Sequence, residues 1–495
     1  MKNKLEFFFW PLIGSVYFLT RTINLKIIPI FTDEAIYTYW AQVALHDPAN
    51  RFISLEDGKQ PLFIWFAAIF QKFIGDPLIA TRAVSILAGF GSLIGIYFLS
   101  KELFSEKVAK LSAILYLILP LTLLYDRMAL FDSLLTMFGI WGIFFTIKLA
   151  RKARLDTAIL AGFSIGFAMI TKSSGVFFLY FLPLSLLFFD FSTKNRHMRF
   201  LKWLGLSAIT AVLTQVIYNS LRLSPLFYII DRKNSEFIRP FSEVLANPFI
   251  FFKSNVITFS NWLVSYISWP LFLLFVISVL WGIYKMNKRI IYLSFLFLIP
   301  FLAESVFNKV IYPRFLLFYF PFLIIIISHG LINFSNRIPR LKKVLAVIFI
   351  SFLILPLLSS YFLLTNPTRA RIADSDSGQY LNDWPAGYGV SQVVDVIREE
   401  SKDKKVYVAT EGTFGLLPYA LQVYFFGNQN VQIEGFWPVD ANKLPQQVLD
   451  QAQITKTYFV FNENQKEILN QKLKFVAKFQ KGKGNSYMRL YQVVP

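Results

Sequence analysis

The residues best suited to chemistry stand in a few short stretches, each beside a long apolar run. Phe31-Thr-Asp-Glu-Ala35 sets two carboxylates side by side, and charge next to hydrocarbon is costly unless it is partnered or used. A carboxylate so placed can take a proton from a hydroxyl, and an adjacent acid can hold a cation or orient the acceptor. Asp33 is the candidate base, with Glu34 beside it. Thr32 and Asp33 have a second reading, as the N-cap of a helix running through Ile36-Tyr-Thr-Tyr-Trp40, since Ser, Thr and Asp are favoured there. Gly58-Lys-Gln-Pro-Leu-Phe-Ile-Trp65 places Lys59 just before a short apolar helix with Pro61 in its first turn, where an ammonium or a helix N-terminus can bind phosphate. Tyr125-Asp-Arg-Met-Ala-Leu-Phe-Asp132 brings Asp126, Arg127 and Asp132 between two apolar runs. Asp126 and Arg127 can pair locally, whereas Asp132 lies inside the start of the next run. Lys172 and Arg314 stand at the ends of two further runs, and for them, as for Lys59, snorkelling toward water is the alternative to ligand binding.

Other chemistries are missing. The chain has no Cys, so it has no disulfide, thiolate nucleophile or thiolate metal site, and its three His are too few for a histidine-rich metal cluster. Nothing resembles a Walker A, GxGxxG or HExxH motif. What the outer-edge carboxylates and cations suit is an anionic lipid phosphate and a polar acceptor.

The elements that must position these residues are membrane helices. Of 495 residues 55% are hydrophobic and 18% aromatic, with 55 Phe against 10 Trp, and the mean hydropathy is +0.50; only lipid or a very large interface hides that much apolar surface. Apolar stretches of spanning length run at about 6–22, 80–100, 111–125, 130–148, 157–171, 174–190, 202–220, 263–284, 290–303, 314–333 and 344–364, which predicts about eleven spans. Residues 61–74 are apolar but too short to span and are placed as an interfacial helix in an outer loop over 23–79; a second long outer loop covers 222–262. The net charge is +20, yet residues 365–495 hold 15 Lys+Arg against 13 Asp+Glu, so the excess belongs to the membrane half. With Lys2 and Lys4 inside, every alternate loop is basic, ending with Arg337, Arg340, Lys342 and Lys343, while Asp33, Glu34, Asp57, Asp126, Asp132 and Glu304 gather on the other side. That pattern is the positive-inside rule and contact with membrane lipids, not a nucleic-acid footprint. An odd number of spans puts residues 365–495 outside, where helix and strand periodicities alternate as in a small α/β domain. The predicted division is 1–364 in the membrane and 365–495 outside it.

The order of these motifs resembles a known group. DE in the first outer loop, K-x-P-L-x-x-W at Lys59 to Trp65, a span beginning near Arg82 and R-x-A-x-x-D at Arg127 to Asp132 are similar to the lipid-phosphosugar-dependent GT-C glycosyltransferases. That group includes the protein O-mannosyltransferases and bacterial aminoarabinose transferases, and the likeness covers most of residues 1–335. Gly378 to Gly389 also resembles the tail of prokaryotic family-39-like members.

The resemblance implies a polytopic α-helical GT-C membrane protein of the plasma membrane with an extracytoplasmic C-terminal α/β domain. It implies transfer of a sugar, with inversion, from a polyprenyl-phosphate donor to a hydroxyl of an extracytoplasmic protein, lipid or glycan. By that analogy Asp33 is the catalytic aspartate, Glu34 its partner and Asp132 the acid of the second outer loop. Lys59 contacts donor phosphate, in a motif where the group often has K-P-P-L and this chain has Gln60, and Arg127, Lys172 and Arg314 are further phosphate partners. No cofactor is required by this reading; a divalent cation, if used, would draw on Asp33, Glu34 and Asp132. The lack of a WWD signature and of a β-trefoil insert favours a prokaryotic single-sugar enzyme. The competing class is a transporter or lipid flippase with an outer binding domain, but transporters place ionisable residues near the midplane of their spans, and here the span centres are almost free of charge.

Overall fold

The computed structural model describes residues 2–192, 194–337, 340, 342–465 and 468–495; the side chains of Lys2, Lys4 and Lys342, used above for the charge sorting, lie outside the described set. Its helices are α1 (Lys2–Thr22), α2 (Thr32–His46), α3 (Leu62–Gln71), α4 (Pro77–Leu103), α5 (Glu106–Ile118), α6 (Pro120–Tyr125), α7 (Phe131–Lys152), α8 (Leu155–Met169), α9 (Val176–Tyr180), α10 (Arg196–Asn219), α11 (Ile229–Phe237), α12 (Phe241–Ala246), α13 (Phe252–Ile267), α14 (Trp269–Tyr284), α15 (Lys288–Phe307), α16 (Phe320–Arg337) and α17 (Lys342–Thr365). Each of the eleven apolar stretches contains helix. Among the described residues, five helical stretches are long and apolar enough to cross a membrane alone: 77–103, 131–152, 196–223, 288–307 and 343–365. The bent pair of α13 and α14 passes the same test when taken together.

One span departs from expectation. Residues 263–284 are not one helix, because α13 and α14 meet at Ser268 with a bend of 115°. Pro270 cannot donate to the carbonyl a turn earlier, and Ser268 takes a left-handed φ of 70°. The break leaves Tyr266 buried at the corner.

The tail follows the alternation read from the sequence. After the short α18 (Asp374–Ser377) come α19 (Val390–Glu400), β1 (Val406–Glu411), α20 (Tyr419–Phe425), β2 (Val431–Phe436), α21 (Gln446–Ile454), β3 (Lys456–Phe461), β4 (Leu473–Gln480) and β5 (Tyr487–Val493). The sheet order is β2-β1-β3-β5-β4, parallel across β1 and its two neighbours and antiparallel beyond. Val406, Val408 and Val460 face α19 and α20, whereas Tyr407, Ala409 and Phe459 face α21, so β1 is covered on both faces as a parallel strand must be. After β1 the helix α20 starts only at Tyr419, because Gly412 and Gly415 both take left-handed φ values and Pro418 stands at the N-cap.

This layer sits directly on the first outer loop. Ile30, Ala35 and Leu78 belong to the same core as α19 and α20, Gln42 donates to the Val423 carbonyl at 2.9 Å, and Tyr39 stacks against Tyr419 at 4.9 Å. The helix that begins at Thr32 is therefore pressed between the membrane bundle and the sheet layer.

Candidate active site

Asp33 is not a cap. α2 is N-capped by Phe31, whose amide is taken by the Glu34 carboxylate at 3.1 Å, and the Thr32 amide and hydroxyl both donate to the Pro385 carbonyl at 3.2 and 3.1 Å. Relieved of capping, the Asp33 carboxylate accepts from Arg314 Nη1 at 2.7 Å and keeps 23% of its side chain exposed. No other hydrogen bond of the Arg314 guanidinium is found among the described residues.

Glu34 points the opposite way and is fully buried. Arg82 donates to it from Nε at 2.8 Å and Nη2 at 2.7 Å, and the Ala129 amide adds a bond at 2.6 Å. With the Phe31 amide these four bonds fill its acceptor sites. Arg82 also donates to the Ile28 and Pro29 carbonyls. Glu34 thus ties the start of α2 to α4 and to the turn before α7, with its acceptor sites taken by protein donors. The predicted catalytic role for Glu34 is corrected accordingly.

Arg127 is corrected too. It does not pair with Asp126 but donates to the carbonyls of Thr20, Ile23 and Asn24 at 2.8, 2.8 and 2.9 Å, satisfying the end of α1. Asp126 takes Arg21 at 3.5 Å, with bonds from Tyr17 and Ser133 at 3.2 and 3.0 Å. Both residues are buried, and Arg127 spends its terminal nitrogens on these carbonyls while its buried Nε is left without a partner.

The other cations do converge. Lys172 Nζ lies 2.7 Å from Asp132 Oδ1 and 4.5 Å over the Phe315 ring, beside Arg314. Gln60, the residue that departs from the group's usual proline, is buried and donates to Ser173 Oγ at 2.7 Å, while the Leu62 amide donates to the Ile170 carbonyl at 3.2 Å. These bonds pin the Lys59 turn to the turn that carries Lys172. Gly58 closes the preceding 3₁₀ turn at φ 66°, where a Cβ would come within 2.6 Å of Lys233 Cβ; glycine is the residue this approach allows. Lys59 itself has its closest acid, Asp57, at 4.0 Å and the Phe237 ring at 5.3 Å. Burial pushes its ammonium below the ordinary lysine range while Asp57 and Asp33 pull it back up, and Arg314 and Lys172 are near enough to lower it further. The Arg314–Asp33 and Lys172–Asp132 pairs thus stand close enough to Lys59 for Asp33, Arg314 and Lys172 to act on its charge.

Sequence reasoning gave no role to Arg82, Lys233 and Asp376. Arg82 had a signal, an arginine within an apolar stretch, which demands a partner. Lys233, bonded to Asp57 at 3.0 Å, and Asp376, described below, had none.

The carboxylates do not fit a metal. Among the described residues no three His, Asp or Glu side chains gather closely enough to hold one, and of the proposed set Glu34 is spent on Arg82, Asp33 on Arg314 and Asp132 on Lys172. A cleft of about 900 Å³ between the end of α2, the α3–α4 turn and the tail layer contains none of the cluster.

Residues 58–218 match the profile of the family described as dolichyl-phosphate-mannose-protein mannosyltransferase. No curated protein sequence matches the chain. Among solved structures, ArnT from Cupriavidus metallidurans is similar, both in the apo state and bound to undecaprenyl phosphate; each is 13% identical over 99% of this chain and 98% of that one, with a TM-score of 0.60. The archaeal oligosaccharyltransferase AglB from Archaeoglobus fulgidus, in complex with an inhibitory peptide and a dolichol-phosphate, is 12% identical over 91% of this chain and 69% of that one, at a TM-score of 0.51. The fold is that of the GT-C glycosyltransferases, the class expected from the motif order.

Proposed function

We propose that this GT-C chain is a glycosyltransferase that moves a sugar, with inversion, from a polyprenyl-phosphate donor to a hydroxyl of an extracytoplasmic acceptor, whether protein, lipid or cell-surface glycan. The observation that carries the reading is the cluster itself: three cations and two carboxylates, each from a different one of five segments, gather around the partly exposed Asp33–Arg314 pair. The undecaprenyl phosphate and dolichol-phosphate named in the matching structures lend the donor class support.

The chemistry assigns each group a task. Lys59, the cation least engaged by acids, holds the donor phosphate as a point charge. Arg314 shares its guanidinium between that phosphate and Asp33, fixing the base relative to the sugar carbon. As the acceptor oxygen forms its bond to that carbon, its proton passes to Asp33, and the bond to the phosphate oxygen breaks with its electron pair leaving on polyprenyl phosphate. Lys59 and Arg314 stabilise the charge the phosphate gains. Lys172 with Asp132 adds a further cation to the phosphate side and orders the wall of the site.

Lys59→Ala should weaken undecaprenyl phosphate binding by about 10- to 100-fold, the range of one charged hydrogen bond, and leave thermal stability nearly unchanged because its ion pair with Asp57 is long, at 4.0 Å, and partly exposed. Wild-type affinity in that variant returns Lys59 to a snorkelling role. The reading also requires the cluster and residues 365–495 to be extracytoplasmic, because only that orientation makes the alternate loops positive inside. A reporter fused after Leu364 is expected to be active outside the cytoplasm, and cytoplasmic activity would contradict the orientation.

A further inference from the structure

The segment that follows the last long helix sends a carboxylate inward. Asp376, on α18, is fully buried. Its Oδ2 accepts from the Tyr125 hydroxyl at 2.6 Å and from the Tyr266 hydroxyl at the α13–α14 corner, while its Oδ1 has no hydrogen-bond partner. Tyr380, one turn on, packs edge-on against Phe31 at 4.8 Å with its own hydroxyl unpartnered. The segment is locked to the base-bearing loop, since Pro385 takes both bonds from Thr32 and Gly387 lies so close that a Cβ would fall 2.1 Å from the Ile30 carbonyl oxygen. The charged groups whose fields reach Asp376 are Arg314, which favours its ionised form, and Asp132, which opposes it; Tyr125, Tyr266 and Tyr380 are the titratable hydroxyls around it. A buried carboxylate oxygen left without a partner is costly and calls for an explanation.

We infer that Asp376 is a positioning residue of the transfer site, whose charge sets how strongly Arg314 holds Asp33 and the phosphate of a bound donor. The inference rests on the donor role proposed for Arg314. When Asp376 is ionised it shares the positive field of the guanidinium and loosens its grip on both neighbours; when protonated it leaves that field to Asp33 and the phosphate. Burial pushes the acid up to about 7, against the pull of Tyr125, Tyr266 and Arg314, so both forms are populated near neutral pH. The C-terminal tail thereby belongs to the site instead of being an appended domain.

The test is equilibrium binding of undecaprenyl phosphate to the full-length detergent-solubilised protein, read as the affinity ratio of variant to wild type so that titration of the ligand cancels. Asp376→Asn keeps an oxygen for the two tyrosines and removes the charge. It should bind like wild type at about pH 6 and about 3- to 10-fold more tightly at about pH 8.5, where the wild-type acid is ionised. Tyr266→Phe removes a donor to the ionised form and raises the acid further, so its ratio should rise above one just above neutral pH and return toward one at higher pH, where both acids are ionised. A ratio for Asp376→Asn that does not change with pH overturns the inference, and if that variant does not fold, a flat ratio for Tyr266→Phe does so. Absence of binding by the wild type at every pH overturns the donor reading instead.

Discussion

Asp33→Asn is expected to yield a folded protein that has lost nearly all sugar transfer, with the rate down by about 10² to 10⁴-fold. The amide preserves the size of the side chain and an oxygen for Arg314, but it accepts no proton. The helix start does not depend on Asp33, since Glu34 and Pro385 satisfy the Phe31 and Thr32 amides. The pair with Arg314 is partly exposed, so its loss costs the fold about 1 kcal/mol or less. The check is transfer rate and thermal unfolding measured on the same preparation. An Asn variant that keeps most of its transfer rate removes Asp33 from the mechanism and turns suspicion to Asp132.

The second large effect lies one residue away and is of another kind. Glu34→Ala leaves Arg82 buried with no counter-charge, and breaking such a pair typically costs about 3 to 5 kcal/mol. Arg82→Met should cost a similar amount from the other side, by leaving a buried carboxylate. The double variant Glu34→Leu with Arg82→Met removes both charges and is expected to be more stable than either single variant. Unfolding of the purified variants measures this, and recovered activity should track recovered folding. A Glu34→Ala protein as stable as wild type but inactive would reinstate Glu34 as a participant in the chemistry.

Adjacent residues thus separate by direction. In Phe31-Thr-Asp-Glu-Ala35 both acids look equally available, and nothing in the spacing says that one turns to Arg314 and the other to Arg82. Helical geometry does carry part of the answer, because successive side chains on a helix lie about 100° apart, but which face is open depends on α4 and on the tail. The apolar helices and the α/β alternation of the tail were legible because they depend on composition and periodicity along the chain. Lys59, Lys172, Arg314 and Asp132 were legible as charges that hydrocarbon does not tolerate idly. The same argument picked out Arg127, which is held by three carbonyls at the end of α1: a buried arginine can be spent on backbone as well as on ligand, and sequence does not distinguish the two. The α13–α14 break was hidden in an apolar run whose only warning was Ser268-Trp-Pro270. Asp376 was hidden because its partners, Tyr125 and Tyr266, lie 251 and 110 residues away.

The claim that unites these residues is that Lys59 and Arg314 bind the phosphate of a polyprenyl donor beside Asp33. A structure of the protein with undecaprenyl phosphate tests it most directly. The phosphate is expected within hydrogen-bond distance, about 3 Å, of both Lys59 Nζ and the Arg314 guanidinium. A phosphate seated elsewhere, such as the cleft near Lys72 and Arg398, with Lys59 and Arg314 untouched, would contradict the account.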